Sequence, residues 1–503
     1  MRENFENFLM TIGLEIHAQL NCKTKLFSSS KSNGCDDPNK NISCFDLGLP
    51  GVLPRLNKEV ISKAIQAAYA LNSRVNENSR FDRKHYFYPD SPFGYQITQF
   101  FEPIALGGYI DIGERCIEID HFHIETDAGK MIHGSNQTYL DFNRVGIPLI
   151  EIVTKPDIKT LEEFKKFVSE LILHLQYAGV ADCNMELGNF RIDVNISISA
   201  TETLGTRVEI KNLNSIRFAL KAIEYEYNRQ KDLLKSGQCV IQETRGFDSD
   251  LGETFSMRTK EDALDYRYIP DYNIPPIHLD KKDIEKLQLQ VPELPNSRRN
   301  RYRNLSIGHE TIEVLVGDRE LSDFFDYFQV QLQLKITELQ IGNIARNNNN
   351  GIYKTMANLI TTDLMGLCKK ENLDHNLDPK TIISKENLLS IFNFLLQGKI
   401  GIKTAKSLLE RLSKDFQSKD SQSKDNTLSV EKIIIEEDLE LISDKTLIKS
   451  YCEAMIEENV SEWQKYLEGD DKMFMFFTGK VIKKSNNKAN PEIVQEILKS
   501  YRN

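Results

Sequence analysis

The sequence predicts an α+β protein: a cradle-like domain with an antiparallel sheet, then a helical domain and a small helical tail. Three observations carry this. Several segments before residue 296 alternate apolar and polar residues with a period of two, the mark of strands with one wet face. Between them run stretches whose apolar residues recur at helical spacing. Beyond Pro295 the chain reads mainly helical, interrupted by a charged segment almost without apolar residues.

Taken in order, Ile12 to Leu20 puts residues 12, 14, 16, 18 and 20 on an apolar face and Glu15, His17 and Gln19 on the other. A helix is predicted from Asn57 through Val60, Ile61, Ala64, Ala68 and Leu71. His121 to Asp127 is a strand whose polar face holds His121, His123, Glu125 and Asp127. Glu151 is a lone carboxylate inside the apolar run Ile147 to Val153. Thr160 and Glu163 form a capping-box pattern ahead of a stripe at Leu161, Phe164, Val168, Leu171 and Leu175, and Gly179 stops that helix. Arg191 to Ile198 presents Arg191, Asp193 and Asn195 on one face, and Arg207 to Lys211 presents Arg207, Glu209 and Lys211. The short polar turn between these two predicts a hairpin. A third helix starts near Ser215, with Ile216, Leu220, Ile223 and Tyr227 inward.

A boundary falls at Pro292–Pro295, ahead of the basic run Arg298, Arg299, Arg301 and Arg303, which reads as a solvated helix start, a hinge or an RNA patch. The predicted division is 1–296, 297–412, a flexible linker at 413–427 built on Ser-Lys-Asp at a period of five, and a tail at 428–503.

Composition narrows the class. The 503 residues suffice for two to four domains, and the formal charge of −10 excludes a chain that coats nucleic acid nonspecifically. Any RNA contact has to be local or shared with a partner. Eight scattered cysteines without a CxxC pair make neither a disulfide scaffold nor an evident zinc site. No signal peptide or membrane span is predicted, and a reducing bacterial cytoplasm is the expected compartment, with an organellar matrix as the alternative.

A wet sheet face is common, so any one strand explains itself. Taken together, the strands differ from a solvated face, because they carry Glu, Asp, His and Asn rather than Lys, Thr and Ser. Hard oxygen and imidazole donors suit Mg²⁺, and their mixture with Arg and Lys suits phosphoryl transfer. No phosphate-binding loop, dinucleotide fingerprint or nucleophile elbow is present, so phosphate chemistry would use a cradle of strands. A glutaminase activity has no support beyond isolated cysteines and histidines.

Here the segments become a resemblance. IGLEIHAQL (12–20), LGLPGVLPRLN (47–57), RKHYFYPDSPFGYQITQ (83–99), HIETDAGK (123–130), NRVGIPLIEIVTKPDI (143–158), VEIKNLNS (208–215), QETRGFD (242–248), SMRTKEDALDYRYIPD (256–271), VPELPNSRRNRY (291–302) and KANP (488–491) occur in order along nearly the whole chain. The sequence resembles the B-subunit family of aspartyl/glutamyl-tRNA(Asn/Gln) amidotransferases. The resemblance implies a glutamine synthetase-like core and an ATP- and Mg²⁺-dependent ligase. Such an enzyme phosphorylates the side-chain carboxylate of Glu-tRNA(Gln) or Asp-tRNA(Asn), and ammonia then displaces the phosphate. It also implies a heterotrimer with an amidase (A) subunit and a small C subunit.

By the same resemblance Glu15, His17, Glu125 and Glu151 are the catalytic and Mg²⁺-binding set. Lys84, Tyr86, Tyr88, Asp193, Asn195, Glu209, Lys211, Arg245 and Arg258 are cleft residues for ATP, metal or the aminoacyl end. Core packing is an equal reading of the tyrosines. Arg267 and Lys260 are further phosphate candidates. For these arginines and Lys260, ion pairs with Asp248, Glu261 and Asp265 are the alternative. Lys480, Lys483, Lys484 and Lys488 are the tRNA-binding tail set. Family members carry two cysteine pairs where this chain has Ser28-Ser29-Ser30 and Ser43-Cys44-Phe45-Asp46, so no structural zinc is expected. Phe93 stands where a lysine is usual, which removes a phosphate contact there. The remaining rivals are a tRNA-binding scaffold with a dead site and an amide ligase acting on a free small molecule.

Overall fold

The computed structural model describes residues 8–33, 37–259, 266–338, 349–370, 382–417, 429–486 and 488–502. They fall into two compact units that divide at Pro295/Asn296. Lys260, Glu261 and Asp265, and residues 418–427 of the expected linker, lie outside the described residues.

The first unit is organised by a ten-stranded sheet. Its main strands are β1 (Leu9–Gln19), β2 (Cys116–Thr126), β3 (Pro148–Thr154), β4 (Phe190–Ser199), β5 (Val208–Leu213), β6 (Glu243–Asp248) and β7 (Glu253–Thr259), in the spatial order β7-β6-β5-β4-β1-β3-β2. Short strands at Ala105–Leu106 and Tyr109–Asp111 pair with β2. The sheet is mixed rather than antiparallel. β4 and β5 form the expected hairpin, but β5 and β6 run parallel. The cause is the helix α3 (Ile216–Lys235) between them, a crossover that returns the chain in the same direction.

Three helices cover one face: α1 (Lys58–Ala70), α2 (Leu161–Tyr177) and α3. Each begins where a side chain satisfies a free helix amide: Asn57 accepts from Glu59 N, Thr160 from Glu163 N and Ser215 from Phe218 N. The apolar side of β1 (Ile12, Leu14, Ile16, Ala18) is at most 1% exposed and shares one core with Phe164, Phe167, Val168 and Leu171 of α2. Each such Ile or Leu contributes about 1.5–3 kcal/mol. The period-two pattern then forces the odd-numbered residues of β1 onto the uncovered face.

The second unit is helical. In α4 (Pro295–Asn304) the basic run divides: Arg303 is exposed and donates to Asn300, but the rest is not a free patch. Arg298 and Arg299 are buried, paired with Asp323 and Glu313, and Arg301 is paired with Asp326. Further on, α5 (Ile402–Gln417) continues through the first Ser-Lys-Asp, where a flexible linker was expected; Leu412 and Ser413 are buried, which holds the turn in place. Four last helices follow: α6 (Lys445–Glu458), α7 (Val460–Leu467), α8 (Lys472–Lys484) and α9 (Pro491–Ser500). Among the described residues no helix is long and apolar enough to cross a membrane.

Candidate active site

The antiparallel register converts the polar alternation into rows across the sheet. His17 lies opposite Glu151 on one side and Arg191 on the other, and Glu151 lies opposite His123. One step along, Glu15 lies opposite Asp193, and Asn195 opposite Glu209. Directly opposed residues share a face, so these groups have to converge.

They form two clusters. In the first, His17 Nε2 lies 3.2 Å from Glu151 and 3.3 Å from Glu125. His123 Nε2 stands 3.5 Å from Glu151 and 3.8 Å from Glu125. Donor atoms of His17, Glu125 and Glu151 lie within 4.8 Å of one another, as do those of Glu15, Asp193 and Glu209 in the second cluster. The second set offers carboxylate oxygens alone and the first adds an imidazole nitrogen, each close enough together to share a divalent cation. The second cluster already faces a cation: Lys211 Nζ donates to Asp193 at 2.6 Å and lies 3.2 Å from Glu209. Asn195 Nδ2 donates to Glu15 at 3.2 Å.

The electrostatics follow from burial and these pairings. Burial alone would lower the His17 pKa, but its hydrogen bonds to Glu125 and Glu151 lift it to about 10. Burial opposes ionisation of Glu125 too, yet the two histidines hold it well below the usual carboxylate range. Burial, then the charges of Glu151 and Glu209, raises Glu15. Lys84 comes from a separate small sheet, on the strand Asp82–His85. Burial disfavours its ammonium, but Glu151 and Glu125 outweigh that and keep it charged; its Nζ sits 4.9 Å over the Tyr266 ring.

Two cavities meet at Lys84 and Lys211. One, of about 290 Å³, reaches His17 and Glu125 and is walled by Tyr86, Phe93 and Tyr95. The other, of about 440 Å³, reaches Glu15, Glu151 and Glu209 and is lined by Arg207, Gln99 and Tyr268. The structure thus brings together Glu15, His17, Lys84, Glu125, Glu151, Asp193, Asn195, Glu209 and Lys211. Tyr86 lines the smaller cavity, whereas Tyr88 stacks on Tyr86 at 4.8 Å and is half exposed.

Arg245 is a correction. It lies on the opposite face of β6, paired with Glu243 at 2.6 Å and 3.5 Å from the fully buried Glu226 of α3. Phe247, two residues on and buried in the core, shows which face this is. Thr244 is the cleft residue of that strand: its Oγ1 donates to Glu209 at 2.9 Å. Its signal is the same alternation, one residue out of step with Arg245. Arg245→Ala is expected to destabilise the fold by about 2–3 kcal/mol, since Glu226 loses a partner in the interior but keeps Arg229. Its turnover per folded molecule should equal wild type; urea unfolding and rate measurements on one preparation check both. The side chain of Arg258 is not among those described.

In the tail, Lys484 pairs with Glu458 at 2.6 Å, Lys488 with Asp438, and Lys480 donates to Asn459 at 2.5 Å. Lys483 is exposed.

Comparison with known proteins shows the family. Residues 10–285 match the family model described as the GatB/GatE catalytic domain, and residues 341–501 match the GatB domain. The B subunit of aspartyl/glutamyl-tRNA(Asn/Gln) amidotransferase from Persephonella marina is 39% identical over 98% of both chains. Its counterpart of the same name from Rickettsia rickettsii (strain Sheila Smith) is 40% identical over 97% of this chain and 96% of its own. The Ruminiclostridium cellulolyticum protein of the same name is 38% identical over 99% of this chain and 98% of its own. The chain belongs to the GatB/GatE family, alongside the B subunits of aspartyl/glutamyl-tRNA(Asn/Gln) amidotransferase.

Proposed function

We propose that this chain is the B subunit of a tRNA-dependent amidotransferase, a carbon–nitrogen ligase that turns the misacylated Glu of tRNA(Gln), the misacylated Asp of tRNA(Asn), or both, into the amide. The observation that carries this reading is the convergence of two separate acidic clusters on one sheet face, bridged by Lys84 and Lys211. A free carboxylate resists attack by ammonia because hydroxide or oxide is a poor leaving group. Transfer of the γ-phosphoryl group of ATP to a carboxylate oxygen, with ADP departing, makes an acyl phosphate. Ammonia then adds to the carbonyl carbon, and phosphate leaves with its bonding electrons.

Glu125 and Glu151 would hold one Mg²⁺, with His17 joining them only as the neutral imidazole once its proton has left, and Glu15, Asp193 and Glu209 would hold a second. A divalent cation held by these residues would supply positive charge to the phosphate oxygens of the nucleotide. Lys84 and Lys211 supply fixed positive charge where negative charge develops, and Arg207 lines the same cavity. Thr244 and Asn195 hold Glu209 and Glu15 in orientation. His123, on the same strand as Glu125 and opposite Glu151 on the next, faces both carboxylates and steadies their charge.

The polar face of the sheet is read as a glutamine synthetase-like cradle, since that fold performs the same carboxylate activation. The catalytic part spans 1–296, a helical part 297–412 and a tRNA-binding tail 428–503. Ammonia comes from a separate amidase subunit, and a small C subunit completes a heterotrimer in the bacterial cytoplasm. The test is to combine the chain with its candidate A and C subunits, misacylated tRNA and γ-labelled ATP. Phosphate release that requires the misacylated tRNA supports the reading; release indifferent to tRNA, or none, contradicts it.

A further inference from the structure

Arg191 is a cation on the polar face of β4 to which phosphoryl transfer gives no task. It lies directly opposite His17 of the first cluster. Opposed residues stand about 5 Å apart at Cβ, so its guanidinium reaches the space beside that cluster. It lines the smaller cavity with His17, Glu125 and Lys84. Its side chain is 39% exposed, against 5% for its partner Asp127. Nη2 donates to Asp127 Oδ1 at 2.9 Å, and among the described residues the guanidinium makes no other hydrogen bond. A guanidinium carries several N–H donors in one plane, so most of them stay available to a ligand.

Asp127 is shared. Its Oδ2 lies 3.0 Å from Arg144, which also donates to the carbonyls of Ala128 and Gly129. Its Oδ1 accepts from the amide of Ala128 at 3.0 Å. One carboxylate thus serves two guanidiniums, and of these Arg191 is the one that lines the cavity. The clamp sets the direction of the fork without using up its charge. The charges of Glu125 and Asp193 also reach Arg191, but these face His17 and Lys211.

We propose that Arg191 grips the side-chain carboxylate of the misacylated residue and keeps hold of its carbonyl oxygen through the reaction. The inference rests on the amidotransferase reading above and names the substrate contact within that site. Shape favours a carboxylate over a nucleotide phosphate here. The aromatic walls Tyr86, Phe93 and Tyr95 suit the methylenes of an Asp or Glu side chain, whereas the larger cavity, with Arg207 beside Lys211, suits a triphosphate. A planar guanidinium meets both oxygens of a carboxylate with two parallel N–H bonds. One oxygen attacks the γ-phosphorus as ADP leaves, and the other stays on Arg191 as the carbonyl oxygen of the acyl phosphate. When ammonia adds to the carbon, the π pair moves onto that oxygen, where the guanidinium meets the new negative charge. The pair returns as the bond to phosphate breaks, and the proton that nitrogen gives up leaves on the phosphate. The neutral amide no longer forms an ion pair with Arg191, which favours its release.

The test uses Arg191→Gln and Arg191→Lys in the complex of this chain with its A and C subunits. The readouts are Kd for misacylated and for amidated tRNA, KM for ATP, single-turnover amidation and thermal melting. Wild type should bind misacylated tRNA about tenfold or more tightly than amidated tRNA, since a charge-assisted pair is lost in the product. In Arg191→Gln that preference should vanish and amidation should fall about 10²–10³-fold, with KM for ATP unchanged. Melting should hold, because Asp127 keeps Arg144 and the Ala128 amide. Arg191→Lys keeps the charge and part of the preference but loses the fork, and should amidate about tenfold more slowly. If Arg191→Gln melts early, Arg191→Lys decides, and wild-type amidation in it overturns the assignment. So does a preference that survives in Arg191→Gln, or a raised KM for ATP with the preference intact, which would make Arg191 a phosphate contact. Equal binding of both tRNAs by wild type overturns it too. If the wild-type complex shows no tRNA-dependent phosphate release, the proposed function fails instead.

Discussion

Glu125→Gln is expected to lower ATP-dependent amidation by about 10³-fold while leaving tRNA affinity within about twofold. The substitution keeps the shape of the side chain and removes its charge. Glu125 is 2% exposed and faces His17 and His123 at once, so its carboxylate anchors the first cluster. A neutral amide is a weaker ligand for a divalent cation and no longer holds positive charge on either imidazole. The fold survives because Glu151 remains as a partner for both histidines. The measurement is single-turnover conversion of misacylated tRNA next to a filter-binding titration. Amidation at the wild-type rate would remove Glu125 from the chemistry.

Lys211→Ala is expected to lose stability and activity together, and to regain stability when Mg²⁺ is added. Without the ammonium, Asp193, Glu209 and Glu15 confront each other with their paired cation gone. The pKa of Glu15, already raised by burial and by its acidic neighbours, should rise further. Breaking a fully buried pair costs about 3–5 kcal/mol, and because the Lys211 side chain is 30% exposed a loss of about 2 kcal/mol is expected. A divalent cation that binds the three carboxylates in the folded state restores stability by mass action. Thermal melting with and without Mg²⁺ reads the effect. A variant that melts like wild type, or one that Mg²⁺ does not rescue, contradicts the second cation site. Amidation should fall about 10²-fold in the same variant, since fixed positive charge is lost at the transferring phosphate.

The sheet face was legible in the sequence because the period of a strand is local. Once Ile12, Leu14 and Ile16 were set inward, Glu15 and His17 had to point outward, and the register did the rest. The helix starts were legible for the same reason, since Asn57, Thr160 and Ser215 act on amides two or three residues away. Features that depend on distant chain were not. The parallel pairing of β5 and β6 depends on how α3 returns, and Lys84 reaches the clusters from another sheet. Arg245 was misplaced for a different reason. Its charge suggested phosphate, while its spacing from Phe247 put it on the buried face. Arg298 and Arg299 show the converse: a basic run that looks solvated is buried against Asp323 and Glu313, whose positions no local pattern gives.

The most direct test is anomalous diffraction from crystals of the complex grown with Mn²⁺ and a non-hydrolysable ATP analogue. One ion should sit among His17, Glu125 and Glu151, and a second among Glu15, Asp193 and Glu209, with both touching phosphate oxygens. Ions bound elsewhere, or a nucleotide seated away from these strands, would contradict the assignment of chemistry to this face.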